Sequence, residues 1–213
     1  MFTVFPADIK TFNTKQTLIG GGLRSKWGFK VYSVGIYSDI KLVNKLIKKY
    51  RDTISKKDLI TDFTESKSST KTLLLKFHRE VAATDMSDAL AEALISKVGK
   101  EKSNKFSSFL LGIVDGDRLT KGSDLYITCK NEKLLASISN GGGDNGLTSS
   151  NVSSETSDVQ KFDYAGKNVK GLCTAIFEAY LGDTPVSQQA KEGFEQGFSD
   201  MIARDELNMI LQM

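Results

Sequence analysis

The stretch GGGLRSKWGFKVYSVGIY, residues 20–37, holds the most chemically suggestive residues of the chain. Its glycines Gly20, Gly21 and Gly22 permit a sharp turn or the close approach of another group. Arg24 follows directly. A guanidinium tucked under a layer of structure needs an anion or several acceptors, because a buried unpaired charge is costly. Its planar donor fork fits a carboxylate or phenolate ligand. Tyr32, on the next strand, can add a hydroxyl donor to the same anion. Two plainer readings stay open: Arg24 pairs with a carboxylate of the protein, or it lies exposed, as most arginines do.

The other reactive side chains carry less. His78 is the single histidine, and Cys129 and Cys173 lie far apart with no CxxC spacing. A zinc site of the Cys/His type is therefore not expected, and no metal or cofactor is assigned. Both cysteines fall on apolar faces and are expected as buried, reduced thiols in a cytoplasmic setting. A Cys–His nucleophile pair is the alternative on paper. His78 shares a face with Lys76 in an alternating strand, which suits a partly exposed strand residue better than a catalytic base. Lys76 and Arg79 are expected at edge or surface positions, and Trp27 as a plug in core or loop. The seven Lys/Arg from Lys41 to Lys57 face one acid, Asp52. That suits a solvated face first, and an anionic membrane or the steering of acid ligands second. The glycine run lacks the GxxxxGK[ST] and GxGxxG spacings and leads into a strand, so it is not a phosphate loop.

These residues must be positioned by an ordinary globular chain. Of 213 residues, 39% are hydrophobic and 26% charged, which excludes disorder and suits one domain over 1–213. The net charge of +3 is too small to point to nucleic acid. No segment has the roughly 20 apolar residues of a membrane span, so no integral membrane association is expected. The first residues, MFTVFPADIK, show no signal or transit pattern. A monomer with a small-molecule ligand is expected.

Strands are expected in 1–37, broken at Pro6, with FKVYSVGIY (29–37) the clearest. From Ile40 the period turns helical, with Ile40, Val43, Ile47 and Tyr50 on one face; 54–68 resists assignment. TKTLLLKF (70–77) alternates as a strand. Asp85 is expected to cap a helix through Val98, and a second helix carries Phe106, Phe109, Leu110 and Ile113. DLYITCK and KLLASIS (124–130 and 133–139) flank Asn131-Glu132 as a hairpin. Sixteen of the nineteen residues at 140–158 are Gly, Asn, Ser, Thr or Asp, so this stretch is read as a mobile loop between strands, the second at 159–164. Two helices close the chain: one from Val169 to Leu181, stopped by Gly182, and one opened by Pro185 and Ser187. Strands, helices, strands, helices is the order of an α+β fold whose antiparallel sheet is covered by helices on one face.

With these residues in hand, the chain resembles the chalcone-isomerase-like superfamily. The resemblance rests on Gly20, Gly22, Arg24, Lys30, Val31, Tyr32, Gly35 and Tyr37, and on AIFEAYLGDTPVS at 175–187. It implies the chalcone isomerase fold, an open-faced β-sandwich with a ligand cleft between a large antiparallel sheet and a helical layer. Arg24 matches the isomerase arginine that binds substrate oxygen, and would be catalytic in an enzyme. Tyr32 stands where the isomerases have a threonine, and the remaining polar positions fall at Ala82, Ala89 and Ala179. The Arg24–Tyr32 pair is similar to that of the family's fatty-acid-binding members. The resemblance thus implies a non-catalytic binder of a fatty acid or similar amphipathic acid. The alternatives are an intramolecular lyase acting on a chalcone or related phenolic, and an interaction protein with a vestigial cleft.

Overall fold

The computed structural model describes residues 3–52, 55–139, 161–162 and 171–211. The expected loop at 140–158 and Val169 lie outside them. The chain opens with β1 (Asp8–Thr11), β2 (Thr14–Lys26) and β3 (Phe29–Asp39), then α1 (Ile40–Tyr50) and α2 (Lys56–Glu65). β4 (Lys71–Phe77) and the short β5 (Val81–Ala82) lead into α3 (Ala83–Glu92), α4 (Ile95–Val98) and α5 (Lys100–Gly112). β6 (Arg118–Leu119), β7 (Asp124–Lys130), β8 (Lys133–Ser139) and β9 (Lys161–Phe162) follow, then α6 (Leu172–Leu181) and α7 (Gln188–Ile210).

Seven strands form one antiparallel sheet in the order β1-β2-β3-β4-β7-β8-β9, and β5 pairs with β6 apart from it. The α+β architecture, with one large antiparallel sheet beneath helices, is as expected. Alternation sorts the strands by face. Val34, Ile36, Leu73, Leu75, Phe77 and Ile127 point into the main core beneath the helices. Tyr37 and Leu74 point the other way and pack with Ile9, Phe5 and Tyr126. The second face is thus partly covered by the N-terminal segment, and Tyr37 donates to the Pro6 carbonyl at 2.9 Å. Thr72 adds a buried polar line there, bonding Gln16 at 3.0 Å and Thr128 at 2.8 Å.

Several local expectations change. The unassigned 54–68 stretch contains α2, capped by Ser55 and burying Leu59, Ile60 and Phe63. Asp85 does not cap α3; the cap position is Ala82, and Asp85 lies within the first turn. Ile40 is exposed, and α1 buries Leu42, Val43, Leu46, Ile47 and Tyr50 instead. Most consequentially, Cys129 and Cys173 are not thiols. They form a disulfide across 44 residues with their Cα atoms 5.8 Å apart, within the ordinary range. The topology explains it: α6 begins over the β7–β8 hairpin, close enough that the Cys173 sulfur contacts the Lys133 carbonyl. The step from reduced thiols to a cytoplasmic location loses its premise.

The glycine run lies inside β2, and it serves close approach, not a turn. Gly20 and Gly22 share the core-facing side of β2, opposite Ile36 and Val34. A methyl group on Gly20 would stand 2.0 Å from the Gly193 carbonyl oxygen, and one on Gly22 would stand 2.3 Å from Gln189. The helix answers in kind: methyls on Gly193 and Gly197 would stand 1.9 and 1.8 Å from the carbonyls of Gly21 and Ile19. α7 therefore rests on β2 backbone to backbone. In an exposed helix, Gly→Ala stabilises by about 1 kcal/mol. Here Gly193→Ala is expected to lower stability, by about 1–3 kcal/mol or more through overpacking. Urea unfolding checks the sign; an unchanged or raised midpoint would contradict the packing described.

Candidate functional site

Arg24 is the next core-facing residue of β2 after Gly20 and Gly22, and it pairs directly with Tyr32 of β3. Directly opposed residues of an antiparallel pair project on one face. The strand therefore carries Arg24 past the N-terminal turn of α7, which covers Gly22. Ser187 fixes that end: its hydroxyl donates to the Leu23 carbonyl at 2.8 Å and accepts from the Ala190 amide. The first turn of α7 has no acidic residue, so its positive end faces the same region uncompensated. Immediately after Arg24 the β2–β3 register shifts by one residue, and pairing resumes with Ser25 opposite Lys30.

Arg24 is half-buried, and among the described residues it makes no hydrogen bond or ion pair. Among the described residues no carboxylate pairs with Arg24, and its side chain is partly withdrawn from solvent. Beside it the Tyr32 and Tyr180 hydroxyls meet at 2.9 Å, fully enclosed, with the Phe77 ring 5.6 Å from that of Tyr32. Burial pushes both phenols up, while the Arg24 charge pulls both down. Both stay neutral hydroxyls, hence donors, at ordinary pH. Two hydroxyls carry two donor protons, and their mutual bond uses one. The other has no protein acceptor among the described residues. The group as a whole is rich in donors and short of an acceptor.

Tyr180 was visible in the sequence only as one apolar-stripe residue of α6. Nothing local distinguishes it, because its partner lies 148 residues away. It adjoins Ala179, the position matched to a polar residue of the isomerases. Ala179 is buried, Ala82 half-buried, and Ala89 exposed on the outer side of α3. His78 is on the opposite face from Tyr32. Its Nε2 is 2.7 Å from the Ser33 hydroxyl and 3.3 Å from that of Thr3. Burial, with Lys30 and Lys121 nearby, lowers its pKa. Lys76 pairs with Asp124 at 2.7 Å and Arg79 is exposed. Trp27 plugs nothing: it is 86% exposed at the β2–β3 turn.

A second enclosed cation is already used. Lys71 of β4 donates to the carbonyls of Phe63 and Thr64, each at 2.8 Å, between the rings of Phe63 and Phe177. Burial pulls its pKa down to about 7, opposed by Asp39. It satisfies the last carbonyls of α2. Among the described residues no cluster of three His, Cys, Asp or Glu could hold a metal, and no helix is long and apolar enough to cross a membrane.

The phenol pair has a measurable signature. Tyr32→Phe and Tyr180→Phe each strand the remaining buried hydroxyl, and each is expected to cost about 1–3 kcal/mol. The double variant is expected to cost less than the sum, because neither unpaired hydroxyl then remains. Strictly additive urea-unfolding energies would show that the two hydroxyls do not depend on each other.

No protein-family model and no curated protein matches the sequence. Among solved structures, the chain is similar to a fatty-acid binding protein of Arabidopsis thaliana, with a TM-score of 0.64 and 20% identity. The match covers 92% of this chain and 93% of that one. At this identity the likeness is one of fold, and it agrees with the sequence resemblance: the chain has the chalcone-isomerase-like fold, an open-faced β-sandwich.

Proposed function

We propose that the protein binds a small amphipathic acid of the fatty-acid type without chemically transforming it, with Arg24 and Tyr32 holding the carboxylate. The observation that carries this reading is the half-buried Arg24, which no carboxylate of the described residues holds, set beside two buried phenols with one proton that no described residue accepts. A carboxylate complements all three. Its two oxygens accept from the guanidinium fork and from the phenols, in charge-assisted bonds stronger than the neutral one they replace. The enclosed setting favours such a pair only when it is complete, since either charge alone would be costly there. An apolar tail entering beside the phenols would meet Phe77 and the main core that includes both tyrosines.

The name of the Arabidopsis protein with the same fold supports this choice of ligand. The lyase alternative is less well served. Closing a chalcone ring calls for donors placed on the ketone as well as on the nucleophile. Ala82, Ala89 and Ala179 supply no side-chain donor at the positions the resemblance assigns.

Mass spectrometry of lipid extracted from the purified protein, followed by displacement of a fluorescent fatty acid, tests the reading. Wild type is expected to bind saturated and unsaturated fatty acids, and the corresponding alcohols more weakly. Arg24→Ala is expected to lose about ten- to a hundredfold in affinity, the worth of a charged hydrogen-bonded contact. Arg24→Lys, which keeps the charge but not the fork, is expected to fall between. Failure of wild type to bind any such acid, or equal binding by Arg24→Ala, would overturn the proposal.

A further inference from the structure

The β2–β3 hairpin ends in Lys26-Trp27-Gly28-Phe29-Lys30, and its two aromatic side chains stand largely outside the core. Trp27 is 86% and Phe29 64% exposed. The two central residues, Trp27 and Gly28, have φ of 52° and 80°, the left-handed pair of a tight two-residue hairpin. Asn and Gly suit such turns; an aromatic there is unusual. The Phe12-Asn13 and Asn131-Glu132 turns share the backbone shape. What sets this turn apart is the large indole held away from the protein, with Gly28 facing open space behind it.

The charges around the tip have one sign. Lys26 lies over the Trp27 ring at 4.8 Å, and Lys30 is exposed beside Phe29. Arg79 and Lys121 are exposed at the same end of the sheet; there the His78 amide bonds the Val31 carbonyl, and His78 feels both Lys30 and Lys121. Among the described residues none of these four cations makes an ion pair. The nearby Glu80 is taken by Arg118 at 2.6 Å. The basic segment from Lys41 to Lys57 behaves differently. Lys49, Arg51 and Lys56 there pair with Asp62, Asp205 and Glu195, and no exposed aromatic accompanies them.

From this juxtaposition we infer that the tip of the β2–β3 hairpin docks on an anionic lipid bilayer, Trp27 and Phe29 entering the headgroup region and Lys26, Lys30, Arg79 and Lys121 lying against the lipid charges. Indole and phenyl rings at the end of a rigid hairpin suit the bilayer interface, where an amphipathic ring has both an apolar and a wet side. Basic residues close to an anionic surface add attraction that falls away within a Debye length. The docking does not depend on the proposed acid site. The two are neighbours all the same, since Arg24 precedes Lys26 by two residues on β2; if the acid reading holds, docking brings the site to the surface where such acids reside.

Trp27 is the only tryptophan of the chain, so its emission reports on the tip of the unmodified protein. The probe is vesicles of equal parts phosphatidylcholine and phosphatidylserine, free of fatty acid. With them the emission is expected to shift to the blue and become shielded from acrylamide. Pure phosphatidylcholine is expected to bind more weakly. The Lys26→Glu, Lys30→Glu double variant is expected to lose about tenfold or more in vesicle affinity. Phe29→Ser is expected to weaken binding while fatty-acid displacement in solution stays at the wild-type level. Emission unchanged at saturating anionic lipid overturns the inference. So does a blue shift that follows protein concentration in the absence of lipid, which would assign the tip to a second copy of the chain.

Discussion

A helix can rest on a strand with no side chain between them only where both backbones lack Cβ atoms at the points of contact. The Ile19–Gly21 backbone of β2 meets Gly193 and Gly197 on α7 in this way, with Gly22 against the Gln189 backbone, and the rest of the architecture is hung from that contact. It brings the last helix down onto the second strand and holds Ser187 against Leu23. It also fixes where cover ends: one core-facing position further along β2 the helix has stopped, and that position is Arg24. The arginine is placed at the boundary between core and exterior by the length of the glycine stretch.

Such a boundary has an electrostatic consequence. In water a guanidinium is satisfied by solvent, and deep in a core it must be paired. At the rim the Arg24 guanidinium acts on the two enclosed phenols, lowering the cost of negative charge beside them. Tyr32 and Tyr180 come from strand and helix, so their hydrogen bond also joins the two layers. The Cys129–Cys173 disulfide secures α6 near its other end. The helix that supplies Tyr180 is therefore held at both ends, and the donor group has little freedom to collapse onto itself further. Preorganised donors of this kind lose less ordering entropy when an anion arrives.

Much of this was legible in the residues, and the exceptions have physical causes. The strand at 70–77 was readable because Leu73, Leu75 and Phe77 differ in polarity from Thr72 and Lys76, and the sheet faces differ accordingly. α2 was not, since only three apolar residues mark its face; Ser55 at its start was the available signal. The glycine run allowed two meanings, turn or contact, and only its counterpart chooses between them. The clue was the four-residue spacing of Gly193 and Gly197, which puts both on one side of a helix. The disulfide and the Tyr32–Tyr180 bond join residues 44 and 148 apart, and no local pattern encodes a pairing made by topology alone. Arg24 and Tyr32 were singled out from type and spacing; that no acid among the described residues would pair with Arg24 was not readable.

The account stands on the guanidinium of Arg24 acting as counter-ion to a bound carboxylate. The most direct measurement is the carbon-13 resonance of a carboxyl-labelled fatty acid mixed with the protein and followed as pH is lowered. The account requires a distinct bound signal that stays ionised to lower pH than the free acid, because the neighbouring cation favours the charged form. In Arg24→Ala that signal should be lost or titrate like the free acid. A bound carboxyl that protonates as readily as in water, with the same behaviour in wild type and variant, would contradict it.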